Sequence, residues 1–181
     1  MPDPRAQFDD VPVQPIRLGA LWSAAWQSVP DPITRALADG GAALDVNCGT
    51  GLACLALAQA ITGAQVTGHD VDPAAIERAR ALARASHLDH RVHFAVDDSA
   101  RLPHAAYALI TAEDLQVRAR DPARVLNAIR NALTPTGACL LLEPAHPHKP
   151  SGLEALATGA GFSRLRLLPA HPRLRLYELR R

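Results

Sequence analysis

The chain has 181 residues, 48% of them hydrophobic and 4% aromatic, with a formal net charge of +1. That length suits one domain with an aliphatic core, and the near-neutral charge gives no reason to expect nucleic acid or an anionic membrane as a partner. No apolar run approaches the about 20 residues of a membrane span. The start, Met1-Pro2-Asp3-Pro4-Arg5, lacks the basic and apolar regions of a signal peptide. Cys48, Cys54 and Cys139 lie in apolar or glycine-rich surroundings and suit reduced thiols, so a cytoplasmic location is expected.

Residues 1–15 carry Pro2, Pro4, Pro12 and Pro15 and read as a flexible tail. Ile16, Leu18, Leu21, Trp22, Ala25, Trp26 and Val29 recur at helical spacing. Asp31-Pro32 then reads as an N-cap and first-turn proline of a helix through Leu37. Residues 16–40 are thus expected to form an N-terminal helical cap, and residues 41–181 the main domain. In the main domain strands and helices alternate. Strands are predicted at Ala42–Val46, Gln65–His69, Arg91–Val96, Tyr107–Thr111 and Ala138–Leu142. Helices are predicted at Gly51–Ile61, from Asp72-Pro73 to about Ser86, from Asp121-Pro122 to Leu133, and from Ser151 to Ala160. Two last strands, through Leu168 and at Leu174–Leu179, are separated by too short a loop for a crossover and imply an antiparallel hairpin. The pattern predicts an α/β fold: a three-layer Rossmann-like sandwich with a mostly parallel seven-stranded sheet and an antiparallel C-terminal hairpin.

The most informative stretch is Ala43-Leu44-Asp45-Val46-Asn47-Cys48-Gly49-Thr50-Gly51. A buried strand stops at a glycine turn and a helix begins behind it. Such a turn lets backbone N–H groups point at a ligand, and a Cβ at either glycine would push the ligand away or forbid the turn. Ligands in such sheets bind at the carboxyl ends of the strands, where acidic residues gather here. Asp70 ends the second strand, about 20 residues past the turn, where a carboxylate commonly takes both ribose hydroxyls. Asp97 and Asp98 follow the third strand, where a carboxylate accepts from an exocyclic amine. The set suits an adenosine-containing ligand. A pyrophosphate is not expected, because no basic residue joins the turn in the sequence.

These residues also carry a family resemblance. Leu44–Gly51 resembles the first motif of class I S-adenosylmethionine-dependent methyltransferases of the small-molecule methyltransferase-domain type. Thr67-Gly68-His69-Asp70-Val71-Asp72-Pro73 resembles their second-strand signature, and Asp98-Ser99-Ala100-Arg101-Leu102-Pro103 their D-A-x-x-L-P segment. Leu133-Thr134-Pro135-Thr136-Gly137 resembles the turn before the fifth strand, which ends in Glu143-Pro144. The resemblance implies S-adenosyl-L-methionine as cofactor. Its site would comprise Asp45, Asn47, Cys48, Gly49, Gly51, Asp70, Val71, Asp97, Asp98 and Ser99. The Gly49–Gly51 turn would hold the methionine part, Asp70 the ribose and Asp98 the adenine. Asp45 would orient the turn and the amino group, or else satisfy loop donors. Asn47 stands where the family has its first glycine, Ala108 where it often has a polar residue, and Thr136 where it has a glycine.

The acceptor side is less legible. Trp22 and Trp26 share a helix face, either as a lid that contacts the substrate or as packing against the sheet. Glu113 and Asp114 follow the fourth strand, either as acceptor-docking groups or as a helix start. His146 and His148 sit in a proline-rich loop, as a base or as solvated side chains, and no third ligand at a recognisable spacing suggests a metal. The insertion after the fifth strand is short, so the acceptor pocket is expected to be shallow or completed by the N-terminal helix or by a second subunit, as in a homodimer. Two function classes follow: a methyltransferase acting on a small-molecule acceptor, or a methyltransferase-like module that binds the cofactor or its product without chemistry of its own. A nicotinamide dehydrogenase domain fits poorly, since Cys54 stands where its third glycine is expected.

Overall fold

Ala42–Val46 forms the first strand, β1, and is inaccessible on both faces from Ala43 onward. That burial is the mark of a central strand in a sheet covered on both sides. The computed structural model describes residue 29 and residues 31–144, 152–168 and 174–181. The expected tail, most of the expected cap with Trp22 and Trp26, and the loop with His146 and His148 lie outside the described residues. In chain order the elements are α1 (Asp31–Ala38), β1, α2 (Leu52–Ala60), β2 (Gln65–Asp70), α3 (Pro73–Ala85), β3 (Val92–Val96) and β4 (Tyr107–Glu113). They continue with α4 (Leu115–Arg118), α5 (Pro122–Ala132), β5 (Leu133–Pro144), α6 (Leu153–Gly159), β6 (Arg164–Leu168) and β7 (Leu174–Arg180).

The strands form one sheet in the order β3-β2-β1-β4-β5-β7-β6. The first five are parallel, and β7 runs antiparallel between β5 and β6. Strand order reverses between β1 and β4, so the ligand crevice of such a sheet opens at their carboxyl ends. Alternate residues face opposite layers. Ala43, Val66, Leu109 and Leu140 pack with Ile33 and Leu37 of α1, with α2 and with Ile76 and Ala79 of α3. Leu44, Ile110 and Leu141 pack with Leu126 and Ile129 of α5 and Leu153 of α6. The three expected layers are therefore present. Among the described residues no helix is long and apolar enough to cross a membrane.

Local signals set most boundaries. Asp72 Oδ1 accepts from the Ala74 N–H at 2.9 Å and Asp121 Oδ1 from the Arg124 N–H at 3.0 Å, each ahead of a first-turn proline. One difference from expectation falls on the crevice side. β4 runs on to Glu113, because Ala112 and Glu113 pair with Leu141 and Leu142 of β5. A short helix, α4, follows at once, entered through Asp114 in the left-handed conformation (φ 48°). At the far edge, buried Glu178 is bracketed by Arg166 at 2.6 Å and Arg180 at 2.7 Å. These two arginines thus balance the charge of a buried carboxylate.

Candidate active site

The turn after β1 bends through three left-handed residues, Asn47 (φ 59°), Gly49 (φ 55°) and Gly51 (φ 78°). Asparagine tolerates this region better than most side chains, so Asn47 replaces a glycine there at modest cost. The two glycines do different work. A Cβ on Gly51 would lie 2.4 Å from Cζ of Phe94, and one on Gly68 would lie 2.6 Å from Cδ1 of the same ring. Gly51 therefore makes room for the core beneath the turn, and of the two expected reasons for a glycine it serves the turn rather than the ligand. A Cβ on Gly49 would meet nothing nearer than the Arg118 guanidinium, at 3.9 Å. Of these two turn glycines, Gly49 is the one with open space on its Cβ side.

Asp70 ties the turn to β2. Its Oδ2 accepts from the Gly49 N–H at 2.8 Å and its Oδ1 from the Asp72 N–H at 3.0 Å. The carboxylate is 3% exposed, so these charge-assisted bonds fix its direction. Asp45 lies under the turn and is 2% exposed. Its Oδ1 accepts from Thr111 Oγ1 at 2.6 Å and its Oδ2 from the Cys54 thiol at 3.5 Å. Burial, with the nearby Glu113 charge, pushes Asp45 up to about 7. These two bonds make Asp45 a strut joining β1, β4 and α2, which neither expected reading named. The Cys48 thiol points at the Gly49 carbonyl, 3.8 Å away. Asn47 Nδ2 is buried without a hydrogen-bond partner among the described residues. An unpaired buried N–H costs about 1–3 kcal/mol, so the turn carries a donor suited to a ligand or water oxygen.

On the β2–β3 side two apolar residues stand in the open, Val71 at 59% and Val96 at 53% exposure. Val96 is the register partner of Asp70, which Val71 follows, and such uncovered aliphatic groups suit the faces of a planar base. Asp97 Oδ1 is taken by the Ser99 N–H at 2.6 Å and faces His69 Nδ1 at 3.6 Å, while Ser99 itself is buried in a left-handed conformation. Burial lowers His69 and Asp97 opposes that shift. Asp97 thus holds the loop. Asp98 is exposed at the crevice rim, with Oδ1 turned to the Ala100 N–H at 3.0 Å.

The β4–β5 side holds what the sequence did not reveal. Arg118, the last residue of α4, donates from Nη2 to Asp70 Oδ2 at 2.9 Å and from Nη1 to the Asn47 carbonyl at 3.0 Å. A basic residue does join the turn, correcting the expectation drawn from the turn's own neighbours. At its other end α4 is anchored by buried Leu115, whose N–H donates to Glu143 Oε1 at 2.9 Å. Burial pushes Glu143 up to about 7, with Asp114 adding to the shift. The short helix is therefore strapped across the crevice, from the end of β5 to the end of β2. Glu113 and Asp114 immediately precede it, as the helix-start reading expects.

Comparison with known proteins decides the family. The methyltransferase-domain profile matches residues 37–161 of this chain. The chain belongs to the class I S-adenosylmethionine-dependent methyltransferases. Similar curated proteins include the ubiquinone biosynthesis O-methyltransferase of Vibrio atlanticus, 33% identical over 54% of this chain and 41% of that protein. The protein of the same description from Bordetella bronchiseptica is 30% identical over 92% of this chain and 64% of its own length. The chain spans less than two thirds of these relatives. The mitomycin 7-O-methyltransferase MmcR shares the fold at a TM-score of 0.72 and 20% identity, over 92% of this chain and 54% of that one. S-adenosylmethionine is the cofactor of this methyltransferase domain, and the residues present fit it. A turn left open at Gly49, a fixed carboxylate, an orphan amide donor and two bare valines gather at the carboxyl ends of β1, β2 and β3.

Proposed function

We propose that this methyltransferase domain transfers a methyl group to a small-molecule acceptor. The observation that carries the reading is the Gly49–Asp70 junction: a backbone donor and a fixed carboxylate joined at 2.8 Å where strand order reverses. Oxygen is the favoured accepting atom among oxygen, nitrogen and carbon, because the curated relatives are described as O-methyltransferases. When bound, the cofactor supplies a methyl group already activated on a sulfonium. The chain's own work is then orientation and desolvation. Gly49 leaves room for the methionine part, Asp70 takes the ribose hydroxyls, and Val71, Val96, Asp98 and the Ser99 backbone hold the base. Asp45 and Cys54 support the turn from below. The acceptor enters on the β4–β5 side beside Glu113 and Asp114, either of which takes a proton from an acceptor that keeps one at neutral pH.

Incubation with S-adenosylmethionine and a panel of phenols, catechols, amines and carbon acids tests this. Cofactor-dependent product carrying one added methyl supports the reading. Tight binding of S-adenosylhomocysteine with no product from any acceptor favours the binding-module alternative.

A further inference from the structure

The strap residue Arg118 has no part in the roles assigned above, yet it occupies their centre. Its guanidinium takes Asp70 Oδ2, the oxygen that also receives the Gly49 N–H. With Asp72 on Oδ1, three of the roughly four acceptor sites of the carboxylate are taken. A ribose diol needs two such sites, so both hydroxyls reach Asp70 only if Arg118 lets go. The second contact, Nη1 to the Asn47 carbonyl, does not involve Asp70 and serves as a pivot on the turn itself. Both terminal nitrogens already lie 3.9 Å from the position of a Gly49 Cβ, on the open side of that glycine. Arg118 is 36% exposed and ends a four-residue helix, so a small rotation of its side chain meets no packed core.

We propose that Arg118 is a cofactor-binding residue that exchanges carboxylates. Without ligand it neutralises Asp70. With ligand it swings about the Asn47 carbonyl and pairs with the carboxylate at the amino-acid end of the cofactor, freeing Asp70 for the ribose. This rests on the cofactor reading above. The electrostatics favour exchange over simple displacement. A guanidinium evicted from a buried carboxylate loses a charge-assisted bond, and a second carboxylate arriving over the same turn restores one. The device also gives specificity: a nucleoside without the amino-acid carboxylate opens the Arg118–Asp70 pair and offers nothing in return.

The test is calorimetry on the full chain and on Arg118→Ala, with two probes. S-adenosylhomocysteine carries both ribose and carboxylate, whereas 5′-methylthioadenosine carries the ribose and lacks the carboxylate. The expected result is opposite signs: Arg118→Ala weakens S-adenosylhomocysteine by about tenfold or more and leaves 5′-methylthioadenosine unchanged or tighter. Arg118→Lys, which keeps the charge and loses the fork, restores part of the S-adenosylhomocysteine affinity. Unchanged or tighter binding of both probes by Arg118→Ala overturns the exchange and leaves Arg118 as an internal competitor only. Equal weakening of both probes overturns it in favour of a structural role, which a lowered melting temperature of Arg118→Ala would register. If the intact chain binds neither probe, the cofactor reading falls and takes the exchange with it.

Discussion

The two halves of the crevice are built in opposite ways. The β1–β2 half is built around one turn, with its helix cap set locally at Asp72 and its carboxylate 21 residues from the glycine it holds. The β4–β5 half is assembled from residues far apart, with Arg118 reaching Asp70 and Leu115 reaching Glu143. The first half is a rigid cradle held up by the core: Phe94 fills the space that Gly51 and Gly68 leave, and Asp45 braces the strand end. The second is a strap fastened at both ends by carboxylates. A cofactor that must be held in one orientation suits the rigid half. An acceptor that must enter and leave suits the half whose ties can be exchanged.

The sharpest way to break the contrast is to damage the support under the cradle. Gly51→Val places branched carbons into the Phe94 ring and forces a β-branched residue to a positive φ. Overpacking and left-handed strain together are expected to cost about 3–5 kcal/mol, read as a loss of denaturant midpoint. If the variant unfolds near the wild-type midpoint, the turn is not supported from the core.

A smaller effect per group comes from buried acid. Asp45 and Glu143 are pushed up to about 7 from 3.8 and 4.5. The folded chain then binds more protons than the unfolded chain between those values. Their contribution to stability is full below about 4 and is lost as pH rises through about 7. The expected loss between pH 5 and pH 8 is about 2–3 kcal/mol for each group, and Asp45→Asn flattens part of the slope. A melting temperature that rises over that range for the wild type contradicts the burial argument.

The smallest expected change is Gly49→Ala. The added methyl meets open space but sits at φ 55°, so stability drops by about 1 kcal/mol while cofactor affinity falls more than stability does. Equal behaviour of Gly49→Ala and Gly51→Val in thermal melts would erase the division of labour between the two glycines.

What was legible in the sequence follows the same divide. Ala42–Val46 was read to the residue, because a run of small apolar groups ending at a glycine turn has one plausible state. Asp72 and Asp121 were read as caps because the proline after each signals the same boundary. The extension of β4 from Thr111 to Glu113 is not legible: Ala112-Glu113 has little strand character of its own and is drawn into the sheet by β5. Arg118 was missed for the same reason. Nothing in Gln116-Val117-Arg118-Ala119 marks a residue that will lie over a turn formed by Asn47 and Gly49, and only the strand order brings them together. The packing role of Gly51 was also hidden, since it depends on where Phe94 lies and not on the turn.

The central claim is that the Gly49–Asp70 junction holds the cofactor. Calorimetry with S-adenosylhomocysteine on the intact chain and on Asp70→Asn, which keeps an acceptor for the Gly49 N–H, tests it most directly. The account predicts one-to-one binding by the intact chain and a loss of about tenfold to a hundredfold in the variant. Absence of binding by the intact chain, or equal affinity in Asp70→Asn, would contradict it.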